Sequence, residues 1–161
     1  IEVLVPDFQC KYDLLDIITE AAPDIVSHNI ETVRRLTPVI RSKANYDSSL
    51  NVVRHFSLSN PNTKSGFMVG LGETRSEVIE TIKDLKESAC NILTIGQYLQ
   101  PTKNQFPVAE FIHPDVFEEY KQFAIAAGFE RVESGPLVRS SYMAEESFNK
   151  KPDVNTNKSN E

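Results

Sequence analysis

The chain has 161 residues, with 17 Lys and Arg against 23 Asp and Glu, and a formal charge of −6. At 40% hydrophobic and 25% charged residues it has ordinary globular composition, over a length that suits one domain with a substantial core. A pI near 5.1 opposes broad nucleic-acid or anionic-membrane binding, which needs a positive field, and no run approaches the roughly 18 apolar residues of a membrane span.

Two cysteines, Cys10 and Cys90, make neither a disulfide framework nor a closed cysteine metal site, so a reducing compartment is expected. The chain opens at Ile1 without Met or a charged-then-apolar signal segment, and Ile1 to Val5 already read as a strand. A fragment or truncated gene product is the expectation.

In chain order, the apolar run Ile1 to Val5 closes at Pro6-Asp7. Leu14, Leu15, Ile17, Ile18, Ala21 and Ala22 then recur at helical spacing until Pro23. A second strand, Asp24 to His28, leads into the turn Asn29-Ile30-Glu31-Thr32. A short helical piece follows to Leu36 and is expected to break around Pro38. Asn45 caps a helix whose apolar positions are Tyr46, Leu50, Val53 and Phe56.

The third strand, Thr63 to Val69, runs into Gly70-Leu71-Gly72-Glu73-Thr74. Thr74 with Glu77 forms a capping box, and Val78, Ile82, Leu85 and Ala89 make one apolar stripe. Asn91 to Gly96 is the fourth strand. Pro114 opens a last helix, with Val116, Phe117, Tyr120, Phe123, Ala124 and Ala127 inward, and Gly128 ends it. Phe129 to Glu133 is the fifth strand. Alternating strands and helices predict an α/β fold of parallel strands joined by right-handed crossovers. From 145 to 161 the composition turns polar: Ser147 to Glu161 hold four Asn and only Phe148 and Val154 as clear hydrophobes, which predicts a disordered tail.

Sites of parallel α/β folds lie at the C-terminal ends of the strands. The polar residues there are Asp7, Gln9, His28, Asn29, Glu31, Glu73, Gln97, Gln100, Lys103, Arg139, Ser140, Ser141 and Tyr142, with glycines at 66, 70 and 72 that would let a ligand approach the backbone. Turn geometry is the plainer reading of those glycines, and no Lys-Ser/Thr pair follows to make a P-loop. Glu73 could bond backbone amides or a ligand. His28, His55 and His113 are too isolated for a metal site: His28 reads as a satisfied structural histidine, His55 as a surface residue, His113 as a helix-entry residue. Lys64 could form a Schiff base, but a positive group bonded to a strand-end carboxylate is favoured. Cys10 has no base beside it.

Six runs in order resemble the lipoyl synthase family of radical S-adenosylmethionine enzymes: Val5 to Phe8, His28 to Val33, Thr63 to Gly66, Val69 to Thr74, Thr94 to Pro101 and Ser134 to Tyr142. The last, Ser-Gly-Pro-Leu-Val-Arg-Ser-Ser-Tyr, is the most specific. The resemblance covers residues 1–144 and implies the later strands of an open (β/α) partial TIM barrel, the C-terminal half of the enzyme.

What this resemblance implies is insertion of two sulfur atoms into a protein-bound octanoyl chain, at the sixth and eighth carbons. Radicals derived from S-adenosylmethionine remove hydrogen there. One of two [4Fe-4S] clusters is consumed as sulfur donor, and the partner is an octanoylated lipoyl-carrier protein. Ser141, with Ser140 as the lesser candidate, matches a serine ligand of that auxiliary cluster; a hard hydroxyl on a soft cluster is a weak ligand, which suits a cluster that is dismantled. The Gly66 to Glu73 run matches the motif bordering the adenine. Asn29, Glu31 and Lys64 match positions facing the cofactor cavity, so the cofactor-binding set is Asn29, Glu31, Lys64, Gly66, Gly70 and Glu73. The compartment implied is cytoplasmic, or mitochondrial in a eukaryote.

The family's two three-cysteine motifs do not occur here, and Cys10 stands where the family usually has glycine. Their absence implies that the missing cysteines precede Ile1, that the N-terminal half is a possible partner, and that this chain alone is inactive. The alternatives are a non-catalytic relic or split subunit, and a Schiff-base lyase built on Lys64.

Overall fold

The computed structural model describes residues 1–140. Five parallel strands form one sheet in sequential order: β1 (Glu2–Leu4), β2 (Ile25–Ser27), β3 (Thr63–Val69), β4 (Ile92–Gln97) and β5 (Arg131–Gly135). Each crossover carries helix: α1 (Tyr12–Glu20), then α2 (Thr37–Ile40) and α3 (Tyr46–Ser57), then α4 (Arg75–Glu87) and α5 (Pro114–Ala126). Right-handed crossovers that never reverse the strand order keep every helix on one side of the sheet. The result is an arc of a barrel, not a doubly wound sheet, as the resemblance implies.

Strand periodicity then sorts the side chains. Phe67, Val69, Leu93, Ile95 and Val132 face the helices and pack with Val78, Ile82 and Leu85 of α4 and Phe117, Tyr120 and Ala124 of α5. A second cluster of Val5, Leu15, Val26, Val52 and Phe56 seats α1 and α3 on the first two strands. Each fully buried side chain of this size contributes about 1.5–3 kcal/mol by leaving water. The alternate residues form the helix-free face. Leu4, Ser27, Lys64, Ile92 and Arg131 lie in one rung across all five strands. Gly66, Thr94 and Glu133 form the next rung up, and Met68, Gly96 and Gly135 the one above.

The caps are as the sequence predicts. Asn45 Oδ1 accepts from the Ser48 amide at 3.0 Å, and Thr74 with Glu77 completes the capping box at the start of α4. Four details differ. Pro38 does not break a helix but occupies the first turn of α2, where its missing N–H would have no helical partner. Ala89 lies past α4, exposed, with φ +59°. β5 begins two residues later than its hydrophobic run, because pairing with β4 sets its register: Ile92 lies opposite Arg131, and Phe129 is buried ahead of the strand. His55 is half-buried, bonded to Asp16 at 2.7 Å and stacked on Tyr12, so it ties α1 to α3. No helix among the described residues is long and apolar enough to cross a membrane. The expected tail at 145–161 lies outside the described residues.

Candidate functional site

At the C-terminal ends of the strands, on the helix-free face, lies a cleft of about 230 Å³ whose walls include Asn29, Glu31, Gly66, Thr94, Gly96 and Arg139. Glycine is needed where strands crowd together: a Cβ on Gly66 would run into Thr94 Oγ1 and stand 3.3 Å from Asn29 Oδ1. That Asn29 oxygen is itself buried and has no hydrogen-bond partner among the described residues. A buried acceptor without a donor costs free energy, so it is a natural place for a ligand N–H or O–H.

Glu31 sits beside it in a left-handed conformation, φ +68°, which costs a non-glycine residue on the order of 1 kcal/mol or more. The sheet holds it there. Its N–H donates to the Gly66 carbonyl at 3.1 Å, and its carbonyl accepts from the Met68 amide at 2.9 Å. This single bridge extends the β2 line alongside β3 and aims residues 29–31 at the cleft.

Three of the six cofactor-binding expectations, Asn29, Glu31 and Gly66, meet at this cleft. Lys64 lies one pleat below Gly66 on the same face, 2% exposed, with its Nζ donating to Glu2 Oε1 at 2.8 Å. That carboxylate belongs to the N-terminal end of β1, not to the rim. An amine so engaged is not free to attack a carbonyl, which counts against the Schiff-base alternative. Gly70 and Glu73 stand in the β3–α4 loop, away from the cleft walls. Gly70 has φ +96°, and a Cβ there would strike Gln97 Nε2. The Glu73 carboxylate accepts from the Gly70 amide at 2.6 Å and the Leu71 amide at 2.9 Å, the backbone alternative read from the sequence. Ser140 lines the cleft, whereas Ser141 lies outside the described residues.

Gln97 clamps the long segment after β4: it donates to the Tyr98 and Glu110 carbonyls, both at 3.0 Å, and accepts from the Ile112 amide at 2.9 Å. His113 Nδ1 accepts from the Asp115 amide, the helix-entry role expected of it. Cys10 donates to the Ser48 carbonyl at 3.6 Å, and Cys90 is fully buried, with burial pushing its thiol up to about 12. A thiol held as Cys90 is does not act as a nucleophile. Among the described residues, no three His, Cys, Asp or Glu side chains converge as a metal site.

Sequence reasoning missed Thr94 as a wall of the cleft, although a lone polar residue inside Ile92-Leu93-Thr94-Ile95 was a visible signal. It also missed Arg35. The Arg35 guanidinium grips both oxygens of Glu77, at 2.6 and 3.0 Å, and the Gly72 carbonyl at 2.9 Å. Nothing in the local pattern marks that contact.

Stability is expected to fall in two steps on acidification. Burial pushes the His28 imidazole below its ordinary 6.5, outweighing the bond to the Val5 carbonyl. The folded form resists protonation, so this contribution is full above pH 6.5 and is lost progressively below it. The Arg35 guanidinium, with the Thr74 amide, holds Glu77 down to about 2; the pair is largely exposed and screened by water, so this lower step, which begins below 4.5 and runs toward 2, is small beside that of His28. Melts from about pH 8 to about 3 would show both steps. His28→Asn keeps a donor for Val5 and should remove the upper one; an unchanged upper step would assign it to another group.

No protein-family model matches the chain. Among curated proteins it is 57% identical over 147 residues to lipoyl synthase of Caldicellulosiruptor bescii, covering 90% of this chain and 50% of that protein. To lipoyl synthase of Bacteroides thetaiotaomicron it is 57% identical over 145 residues, 90% of this chain and 51% of the relative. That of Treponema denticola is 56% identical over 144 residues, 89% and 50% respectively. The chain is homologous to half of lipoyl synthase. It spans about half the length of the curated relatives it matches, and over nearly all of its own length more than half its residues are theirs. In this chain the cleft occupies the strand ends where the motifs His28 to Val33, Thr63 to Gly66 and Thr94 to Pro101 come together.

Proposed function

We propose that this chain is the C-terminal half of a lipoyl synthase and that its strand-end cleft binds S-adenosylmethionine. The observation that carries the reading is the buried Asn29 Oδ1, without a partner among the described residues, beside Glu31 and the bare backbone of Gly66, in a chain 57% identical to lipoyl synthase. A glycine-walled cradle that sets Asn29, Glu31 and Thr94 beside the apolar Leu4, Met68 and Val138 suits an adenosyl ligand with hydroxyl and amino donors. Asn29 accepts one such donor, Glu31 offers a carboxylate to another, and Thr94 and Gly96 shape the wall. When bound, S-adenosylmethionine supplies the radical that removes hydrogen from the octanoyl chain of a lipoyl-carrier protein. Lys64 keeps the floor of this face charged but neutralised by Glu2.

The described residues do not fit an iron–sulfur cluster, since no three His, Cys, Asp or Glu side chains converge among them. We propose instead that the six cysteine ligands lie in the other half and that Ser141 supplies the remaining ligand of the auxiliary cluster. Alone, this chain is expected to be inactive.

The test uses the full-length protein that contains this chain, under reducing, anaerobic conditions. Ser141→Ala should leave cleavage of S-adenosylmethionine to deoxyadenosine within about threefold, while lipoyl product falls about 100-fold or more, the scale of losing a metal ligand or its orienting partner. Ser140→Ala should be milder. Near-normal lipoyl formation by the Ser141 variant would make that serine a turn residue.

A further inference from the structure

We infer that Arg35 is a positioning residue that fixes the register between the two strand-end loops at the site, residues 29–32 after β2 and residues 70–74 after β3. The second loop is anchored through its own acidic side chains. Glu73 takes the Gly70 and Leu71 amides, and Glu77 takes the Thr74 amide at 2.7 Å and the Thr74 hydroxyl at 3.0 Å. The Gly72 carbonyl between these anchors, at a glycine with φ +97°, is held from outside the loop. Arg35 Nη2 donates to it while the same guanidinium holds Glu77 bidentately.

The first loop is fixed at its other end. Four residues before Arg35, Glu31 is pinned to β3 through Gly66 and Met68. Arg35 therefore closes a ring: β3, its own outgoing loop, the guanidinium, and the chain back to Glu31. The ring contains Glu31 and Gly66, two walls of the cleft.

Exposure sharpens the role. The Arg35 side chain is 55% exposed, and an exposed ion pair adds little to global stability. A planar fork bonded to a carboxylate and a carbonyl instead imposes direction, which a lysine cannot copy from one point charge. The expected signature is local order lost without loss of the fold.

The consequence for the cofactor rests on reading the cleft as an S-adenosylmethionine site, and hydrogen exchange in the full-length protein that contains this chain separates the two ideas. In Arg35→Ala, the Gly70 and Leu71 amides should exchange about tenfold faster, while Leu93, Ile95 and the melting temperature stay as in the wild type. Arg35→Lys should behave like Arg35→Ala. Unchanged exchange at Gly70 and Leu71, full rescue by lysine, or faster exchange throughout β4 would each overturn the positioning role. Added S-adenosylmethionine should slow exchange at residues 29–31 in the wild type and do so more weakly in Arg35→Ala. No slowing in the wild type would refute the cofactor reading and leave the loop result standing.

Discussion

Glu2→Ala is expected to cost about 3 kcal/mol or more, because it strands the Lys64 ammonium in a place only 2% exposed. Set against a domain stability of about 5–15 kcal/mol, that is a large fraction of the whole. The pair as such need not be stabilising, since two desolvated charges roughly cancel what their attraction returns. Replacing both, with Glu2→Leu and Lys64→Met, should therefore recover most of the loss. Urea unfolding of the two variants measures the difference. A loss below about 1 kcal/mol for Glu2→Ala would mean that water reaches the amine and that the pair behaves as a surface contact.

Gly66→Ala is expected to be strongly destabilising for a single added methyl. The new Cβ would overlap Thr94 Oγ1 and stand 3.1 Å from the Thr94 carbonyl, inside a paired rung that cannot spread. Overpacking of this kind costs about 1–3 kcal/mol. Thr94→Ala removes the overlapped hydroxyl, so the double variant should regain part of that loss, with a coupling of about 1 kcal/mol. The methyl would still narrow the cleft, so under the proposed function binding of S-adenosylmethionine should stay weakened in the double variant. Strictly additive losses would show that the strands shift apart instead.

Local chemistry was readable in the chain itself, and long-range pairing was not. Asn45 and the Thr74–Glu77 box announce their helices because a cap is made within three residues. β3 was bounded correctly because Gly70 at φ +96° must end it. Pro38 was misread because proline stops a helix or starts one according to its position in the first turn, which the surrounding residues do not reveal. β5 slid by two residues because an edge strand takes its register from its neighbour and not from its own hydrophobicity.

At the site, Asn29, Glu31 and Gly66 were legible as strand-end residues. Lys64 was legible as an ion-paired group, but its partner lies 62 residues away at the opposite end of a strand. Glu73 and Gly70 draw the eye as ligand contacts, yet their nearest atoms belong to the loop and to Gln97. Arg35 and Glu77, 42 residues apart, gave no sign of each other.

The sequential strand order carries a kinetic meaning as well. Every strand pairs with the one made just before it, so the sheet can grow by adding one βα unit at a time as the chain emerges from the ribosome. Loop closures of this modest size are entropically cheap and favour fast assembly. The Glu2–Lys64 contact skips over β2 and can form only once β3 has docked. It therefore acts as a late check on the first three strands, closing only when their registers agree.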